Sequence, residues 1–301
     1  MRTIRLWFHA ARPWCYSVSF VPLLLGALLA WLAGFPPRWG LFGLTLAGGV
    51  LLHTGVNYLN TYGDFVSGVD TPESADSCPH LVQGWLKPRP VLLAGLVCLA
   101  LAGLVGLWLT WLCGWPVLAF GLAGMIGGYC YTTGPLPYKY IGAGPLLVFF
   151  LMGPLMVCPA YYIQSGTLSW QVFLLSLPVG CLVSALMQAN DIHDVKHDRA
   201  SNIRTMALAL GRERAIVLLC AMYVSAFLLL AGSVAASLLP LAALAPLLLV
   251  PGLARVIRNL SKPARREEQV GAIVYWAAGF HAAFGLLLLA GLGLSLLFGM
   301  P

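Results

Sequence analysis

Charge is scarce in this sequence. Only 9% of its 301 residues are charged, where a soluble globular domain carries about a quarter. That shortage excludes the soluble classes. Acidic residues are scarcer still, 10 against 17 Lys and Arg. None of them stands in the middle of an apolar run, which argues against an ion path through a bilayer. The eight cysteines are scattered singly, without any C-x-x-C spacing, so they read as small core residues rather than redox or zinc motifs. No signal peptide is evident. The opening stretch, MRTIRLWFHAARPW, reads instead as a short basic amphipathic helix over residues 1–13, lying at an interface with Arg2 and Arg5 toward headgroups.

Apolar residues fill the space that charge leaves. They make up 60% of the chain, in runs far longer than the ~10 residues of a barrel strand, which points to an all-α integral membrane protein. Nine segments approach the ~20 residues needed to cross a bilayer: 14–34, 40–62, 91–112, 115–132, 142–164, 169–190, 214–235, 238–257 and 272–299. The last is long enough to tilt, or to break near Gly291 or Gly293. A single membrane-embedded domain, a bundle around a central cavity, is expected over residues 1–301.

Charge distribution supports this topology. With the N-terminus in the cytoplasm, alternate loops collect sixteen of the seventeen basic residues, and only Arg38 falls outside. All ten acidic residues fall on the same side. The net charge of +7 therefore reads as membrane orientation plus attraction of an anion, with no call for nucleic acid.

The acidic residues are concentrated at two places. In NDIHDVKHD, Asn190, Asp194 and Asp198 are spaced by four, so on a helix they share one face, with Asp191 beside them. In NYLNTYGDFVSGVD, Asn57, Asn60, Asp64 and Asp70 form a second set, with Asn60 and Asp64 again four apart. Each set closes a long apolar run, where carboxylates are costly unless a cation holds them. Capping or solvation accounts for a lone acid such as Asp191, but one capping residue per helix is enough. Paired oxygen-rich faces suit a hard divalent ion, Mg²⁺ above all, and Mg²⁺ keeps room for phosphate oxygens. A diphosphate is the expected partner.

These motifs resemble the UbiA superfamily of intramembrane prenyltransferases. The stretches GYCYTTGPLPYKYIGAGPL, FFLMGPLMVCPAYYIQSG and NDIHDVKHDRASNIRTMALALG, with ARPWCYSVSFVPLLLGA near the start, resemble the branch that prenylates 1,4-dihydroxy-2-naphthoate in menaquinone biosynthesis. The resemblance runs from about residue 7 to residue 212. It implies two Mg²⁺ ions that bind the diphosphate of a polyprenyl donor. Asn60, Asp64, Asp194 and Asp198 would be metal ligands, and Asn190 a ligand or diphosphate partner. Asn57 and Asp70 would be supporting polar groups, Asp70 counted with the metal set. Asp64, Asp194, Asp198 and Lys139 would carry the chemistry. The ions would neutralise the leaving diphosphate, an aromatic carbon would attack the allylic cation, and loss of carboxylate would restore aromaticity. The setting expected is a bacterial inner membrane with the active site toward the cytoplasm.

Lys139, in TTGPLPYKYIG, is the sole cation of its loop and reads as a diphosphate contact or a snorkelling interfacial lysine. Tyr131 and Tyr138 would orient phosphate, stack on the acceptor, or belong to an aromatic belt. Arg199 and Arg204 would complete a phosphate cradle or serve only as cytoplasmic charges. His193 and His197 have the spacing of a helical zinc pair, but a third ligand is lacking and the adjoining face suits Mg²⁺. His53 and His281 read as hydrogen-bonded helix residues. Three positions depart from the branch pattern: His80 where an arginine is usual, Pro145 where an acid is frequent, and Thr61 in place of an aspartate. They leave other acceptors open, namely 4-hydroxybenzoate, homogentisate, chlorophyllide or, least of all, a haem vinyl group. A divalent-cation transporter is the rival outside enzymes.

Overall fold

The computed structural model describes residues 2–72, 79–135, 137–201 and 203–299. Glu73 and Asp76 of the first acidic loop lie outside these residues. The described chain is nearly all helix: α1 (Arg2–Ala10), α2 (Ser17–Leu32), α3 (Trp39–Val66), α4 (Pro88–Cys113), α5 (Trp115–Tyr129), α6 (Gly144–Met152), α7 (Pro154–Ser165), α8 (Trp170–His193), α9 (Val195–Ala200), α10 (Met206–Leu210), α11 (Arg212–Ala235), α12 (Val250–Ser261) and α13 (Pro263–Phe298).

The expected count of nine spans is not confirmed. Among the described residues, seven helical stretches are long and apolar enough to cross a membrane, and an eighth joins them if the N-terminal segment and α2, bent by 55°, count as one. The ninth candidate, α5, has 15 residues, which at ~1.5 Å per residue falls short of a ~30 Å hydrocarbon layer. Between α4 and α5 the chain turns at Gly114, whose φ of 98° only glycine adopts without strain.

Local sequence explains the other breaks. α6 and α7 form one span interrupted at Gly153–Pro154, since Pro154 brings no N–H to the helical ladder. The eighth expected span begins as a 3₁₀ stretch, Leu241–Leu249, with Pro246 inside it, and continues as α12. α13 does not break at Gly291 or Gly293; it runs unbroken for 36 residues. Gly291 instead admits the backbone of the 3₁₀ stretch, for a Cβ there would lie 2.0 Å from the Ala242 carbonyl oxygen.

α8 is the axis of the bundle. The apolar window of this helix is 72% buried, against 17–44% in the other spans. It packs against α6, α7, α11 and α13, and α2 packs on α7 and α13. Their shared core includes Leu25, Val157, Leu182, Leu219, Ile273 and Phe284. Small residues allow the close approaches, as membrane helices require. A Cβ on Gly180 of α8 would sit 2.9 Å from the Phe149 carbonyl oxygen of α6. α3 lies on α4, so a gap remains between the α3–α4–α5 side and the α8 side. The N-terminal helix is not merely laid on an interface. Ala10 and Ala11 are buried with Tyr58, Leu81, Leu86 and Val91, which clamps α1 across the end of that gap.

Candidate active site

Two helix ends and three connecting segments meet at one end of the gap. On α3, His53, Asn57, Asn60 and Asp64 are all buried, and their spacing of four, three and four places them on one face. The chain then reverses over the helix end. Gly68 takes a φ of 71°, and the backbone N–H groups of Val69 and Asp70 both donate to the Asp64 carbonyl, at 2.9 and 3.0 Å. This closure is the kind that left-handed glycine allows at a helix C-terminus, and it carries Asp70 back beside Asp64.

Across the gap, α8 ends at His193 and α9 starts at once, so Asp194 and Asp198 stay in register. The Asp194 N–H donates to the Asn190 carbonyl at 2.9 Å and the Asp198 N–H to the Asp194 carbonyl at 2.8 Å. Asn190 donates its side-chain amide to Asp194 at 2.9 Å, and His193 Nδ1 lies 2.6 Å from the other Asp194 oxygen. Asp191 and Asp198 are buried, while Asp194 is one-third exposed at the mouth, its side chain 34% accessible. His197 bonds through Nε2 to the Val69 carbonyl, tying α9 to the segment after α3. The two histidines thus serve different partners and do not form a zinc pair. Among the described residues, no group of three His, Cys, Asp or Glu is gathered as a metal nest.

The loop between α5 and α6 closes the third side. Its backbone pairs back on α5 through Tyr138 N–H to Cys130 O and Lys139 N–H to Tyr131 O, at 3.1 and 3.0 Å. It is also pinned to the segment after α9 by Arg204 N–H donating to Tyr140 O at 3.0 Å. The Lys139 ammonium therefore reaches both Asp64 oxygens, at 2.8 and 2.7 Å, and the Tyr140 hydroxyl donates to Asp64 at 2.6 Å. The Asn60 carboxamide satisfies its neighbours in one orientation. It donates to Asp64 at 2.9 Å and accepts from the Arg12 guanidinium at 3.1 Å.

Crowded carboxylates leave an electrostatic trace. Burial, then the neighbouring Asp64, pushes the Asp70 carboxyl up to about 6. Burial, then Asp194, does the same for Asp198, again to about 6. Burial opposes the charge on Lys139, but Asp64 and Tyr140 outweigh it, and the ammonium pKa is raised. Burial, then Arg12, holds the His80 ring below the usual range, so at neutral pH it is no substitute for an arginine.

These groups line one end of a cavity of about 1140 Å³. The rest of it is apolar and runs between α3, α4 and α5, past Gly49, Leu52, Val105, Val117, Leu118 and Met125. Of the residues singled out in the sequence, Asn57, Asn60, Asp64, Asp70, Tyr131, Tyr138, Lys139, Asn190, Asp194 and Asp198 all line it. Arg199 and Arg204 do not; both are exposed outside the lining. Asn57 spends its amide N–H on the Ala11 carbonyl, at 2.8 Å. Pro145 is buried at the start of α6, its carbonyl taking a 2.7 Å bond from Ser184 of α8, so it packs helices rather than facing the cavity. Sequence reasoning overlooked Arg12 and Tyr140. Arg12 is masked by the many arginines that orientation alone explains, and Tyr140 by the interfacial aromatics, although it stands beside Lys139.

A family model described as the UbiA prenyltransferase family matches residues 19–278. The chain belongs to the UbiA prenyltransferase family. Among its relatives, a 1,4-dihydroxy-2-naphthoate octaprenyltransferase of Bacillus subtilis is 33% identical over 229 residues, covering 76% of this chain and 73% of the relative. A 2-carboxy-1,4-naphthoquinone phytyltransferase of Synechocystis is 27% identical, covering 97% and 94%. A UbiA homologue from Archaeoglobus fulgidus, solved with GPP and Mg²⁺, shares the fold. It has a TM-score of 0.64 and 14% identity, covering 95% of this chain and 99% of that one. As a UbiA-family prenyltransferase, the protein is a membrane enzyme. The carboxylate and amide oxygens on both walls are hard ligands of the kind that suit Mg²⁺.

Proposed function

We propose that this UbiA-family enzyme transfers an isoprenyl group from a polyprenyl diphosphate to 1,4-dihydroxy-2-naphthoate, with Mg²⁺, in menaquinone biosynthesis. The observation that carries the reading is one cavity with an oxygen-rich end and an apolar remainder. That is the shape of a diphosphate joined to an isoprenoid tail. Asn60 and Asp64 on one wall, and Asn190, Asp194 and Asp198 on the other, would hold two ions, with Asp70 in support. Bound there, Mg²⁺ supplies charge neutralisation for the departing diphosphate.

The chain's own residues do the rest. Lys139 approaches the site through the α5–α6 loop, where it can donate to diphosphate oxygens. It stabilises the charge that grows as the C–O bond breaks and diphosphate leaves with the electron pair. The apolar walls keep water from the allylic cation, so the ring carbon of the acceptor takes it up. The new C–C bond is made at the carbon bearing the carboxylate, which departs as CO₂. Tyr131 turns its hydroxyl onto Met187, 3.0 Å from the sulfur, and its ring carries the Lys139 ammonium 5.9 Å from the centroid, which helps hold that cation at the site. The relatives' acceptors support the naphthoate assignment, and the buried place of Pro145 removes one reason to doubt it. The concentration of basic residues at the site end supports a cytoplasmic active face in a bacterial inner membrane.

The test offers membranes containing the protein a labelled polyprenyl diphosphate with 1,4-dihydroxy-2-naphthoate or 4-hydroxybenzoate, with Mg²⁺ or EDTA. An EDTA-sensitive product from the naphthoate alone is expected. Product from the benzoate alone would move the protein to another branch, and product in EDTA would remove the metal from the account.

A further inference from the structure

A second cavity, of about 420 Å³, lies between α5, the α6–α7 span and the start of α8. Phe120 of α5 and Leu155 of α7 line both this cavity and the main one, so their side chains stand in the wall between the two. α7 turns a different face to each. Met156 and Pro159 look into the main cavity, while Pro154, Cys158 and Tyr161 look into the second. Leu155 sits on the border, directly after the Gly153–Pro154 interruption, where the wall is not a continuous helix. Apart from Tyr161 and Ser169, the second lining is apolar. It meets the outer surface at Phe150, Leu168 and Trp170, all exposed, and the Trp170 ring stacks on Phe173 with centroids 4.7 Å apart.

The main cavity is long but closed at its far end. It follows α3 from Asp64 to Thr45, a helix rise of about 28 Å. Past Thr45, Leu109, Val117 and Ile163 are buried together, with Leu41, Leu44 and Tyr162 packed on them. A polyprenyl chain has four main-chain bonds per unit. An extended peptide advances ~3.3–3.6 Å for every three bonds, so each unit takes roughly 4–5 Å and about six units reach the closed end. A longer tail needs another course. The side opening at Phe120 lies about 14 Å along α5 from its site end at Tyr129.

We infer that the tail of a longer donor turns between Phe120 and Leu155 into the second cavity, and that these two side chains govern which tail lengths the enzyme accepts. This rests on the prenyl-transfer reading above. Lipid chains are as apolar as these walls, so the second cavity selects by fit rather than by hydrophobicity. The effect on length preference is therefore severalfold, not orders of magnitude.

The experiment joins cross-linking to a length series. An eight-unit polyprenyl diphosphate carrying a diazirine on its last unit is irradiated with the protein in nanodiscs, and the adducts are located by mass spectrometry. The same preparations are assayed for KM with three-unit and eight-unit donors. Wild type should give adducts within residues 154–161 and 168–173. Cys158→Trp, which fills the second cavity, should raise KM for the eight-unit donor at least threefold. It should leave the three-unit KM within twofold and move the adducts out of both segments. Leu155→Trp, which thickens the wall, should shift length preference in the same direction. Wild-type adducts confined to Leu107, Leu122 or Tyr275, which line the main cavity and are exposed, would send the tail straight into lipid and overturn the inference. An unchanged length preference in both variants, or an equal rise for both donors, would overturn it too. No product from either donor with wild type would instead refute the prenyl-transfer reading, and this inference with it.

Discussion

Asp64 is held by the Lys139 ammonium at 2.7 and 2.8 Å and by the Tyr140 hydroxyl at 2.6 Å, and its side chain is only 4% exposed. Replacing it with Asn keeps the shape and removes the charge. Removing one partner of a buried ion pair costs about 3–5 kcal/mol, because the remaining charge is left uncompensated. Lys139 is itself 15% exposed, so the lower end of that range is expected, about 3 kcal/mol. For a chain of this size that is a drop of roughly 6–12 °C in melting temperature at ~2–4 °C per kcal/mol. Asp64 is itself what raises the Lys139 pKa against burial, so the variant leaves an ammonium that burial pushes toward its neutral form. Adding Lys139→Met to Asp64→Asn removes the orphaned charge and should restore at least half of the lost stability. Turnover should not return, and both variants should fall at least ~10²-fold, the typical cost of removing a group that stabilises developing charge. The assay is thermal unfolding in detergent without Mg²⁺, beside product formation on the same preparations. Strictly additive losses in the double variant would refute the coupling, and recovered turnover would refute the catalytic role.

Three further outcomes follow from the same geometry. Asp70 and Asp198 titrate near 6 in the folded chain, above the ordinary carboxyl value of 3.8. The native state thus binds more protons than the unfolded state between about pH 4 and 6, and stability falls as pH rises through that window. Metal-free protein should melt higher at pH 5 than at pH 7, Mg²⁺ should raise the pH 7 value, and a rise from pH 5 to 7 without metal would contradict this. Asp194→Ala should abolish turnover while the detergent-solubilised protein remains monodisperse on gel filtration, and full activity would sink the metal assignment. Gly180→Ala should destabilise by about 1–3 kcal/mol, the usual cost of overpacking, because its Cβ meets backbone at Phe149; an unchanged melting temperature would show that α6 and α8 can part.

The two oxygen-rich walls of the cavity were legible because spacing by four is a helical property that survives folding. Asn60 with Asp64, and Asn190 with Asp194 and Asp198, needed only a helix to align them. Lys139 was legible as the one cation in its loop, although its hold on Asp64 depends on two backbone pairings that no local pattern announces. Arg12 was not legible. Sixteen basic residues satisfy the positive-inside rule equally well, and nothing local separates Arg12, which enters the cavity, from Arg199 and Arg204, which stay outside. Asn57 had the right position but a different partner, since the Ala11 backbone lies 46 residues away. The span count missed for a related reason. Hydropathy registers apolar length, but not that Gly114 cuts α4 from a 15-residue α5 or that α1 is bent onto α3.

The account's central claim is that the two oxygen-rich walls hold divalent cations against one diphosphate. The most direct measurement is a crystal structure with Mn²⁺ and a thio-linked polyprenyl diphosphate, with the cations located by anomalous scattering. The account predicts anomalous peaks between Asn60/Asp64 and Asn190/Asp194/Asp198, with the diphosphate bridging them and the tail along the α3–α4–α5 cavity. Peaks confined to one wall, or a diphosphate bound with no cation beside it, would contradict it.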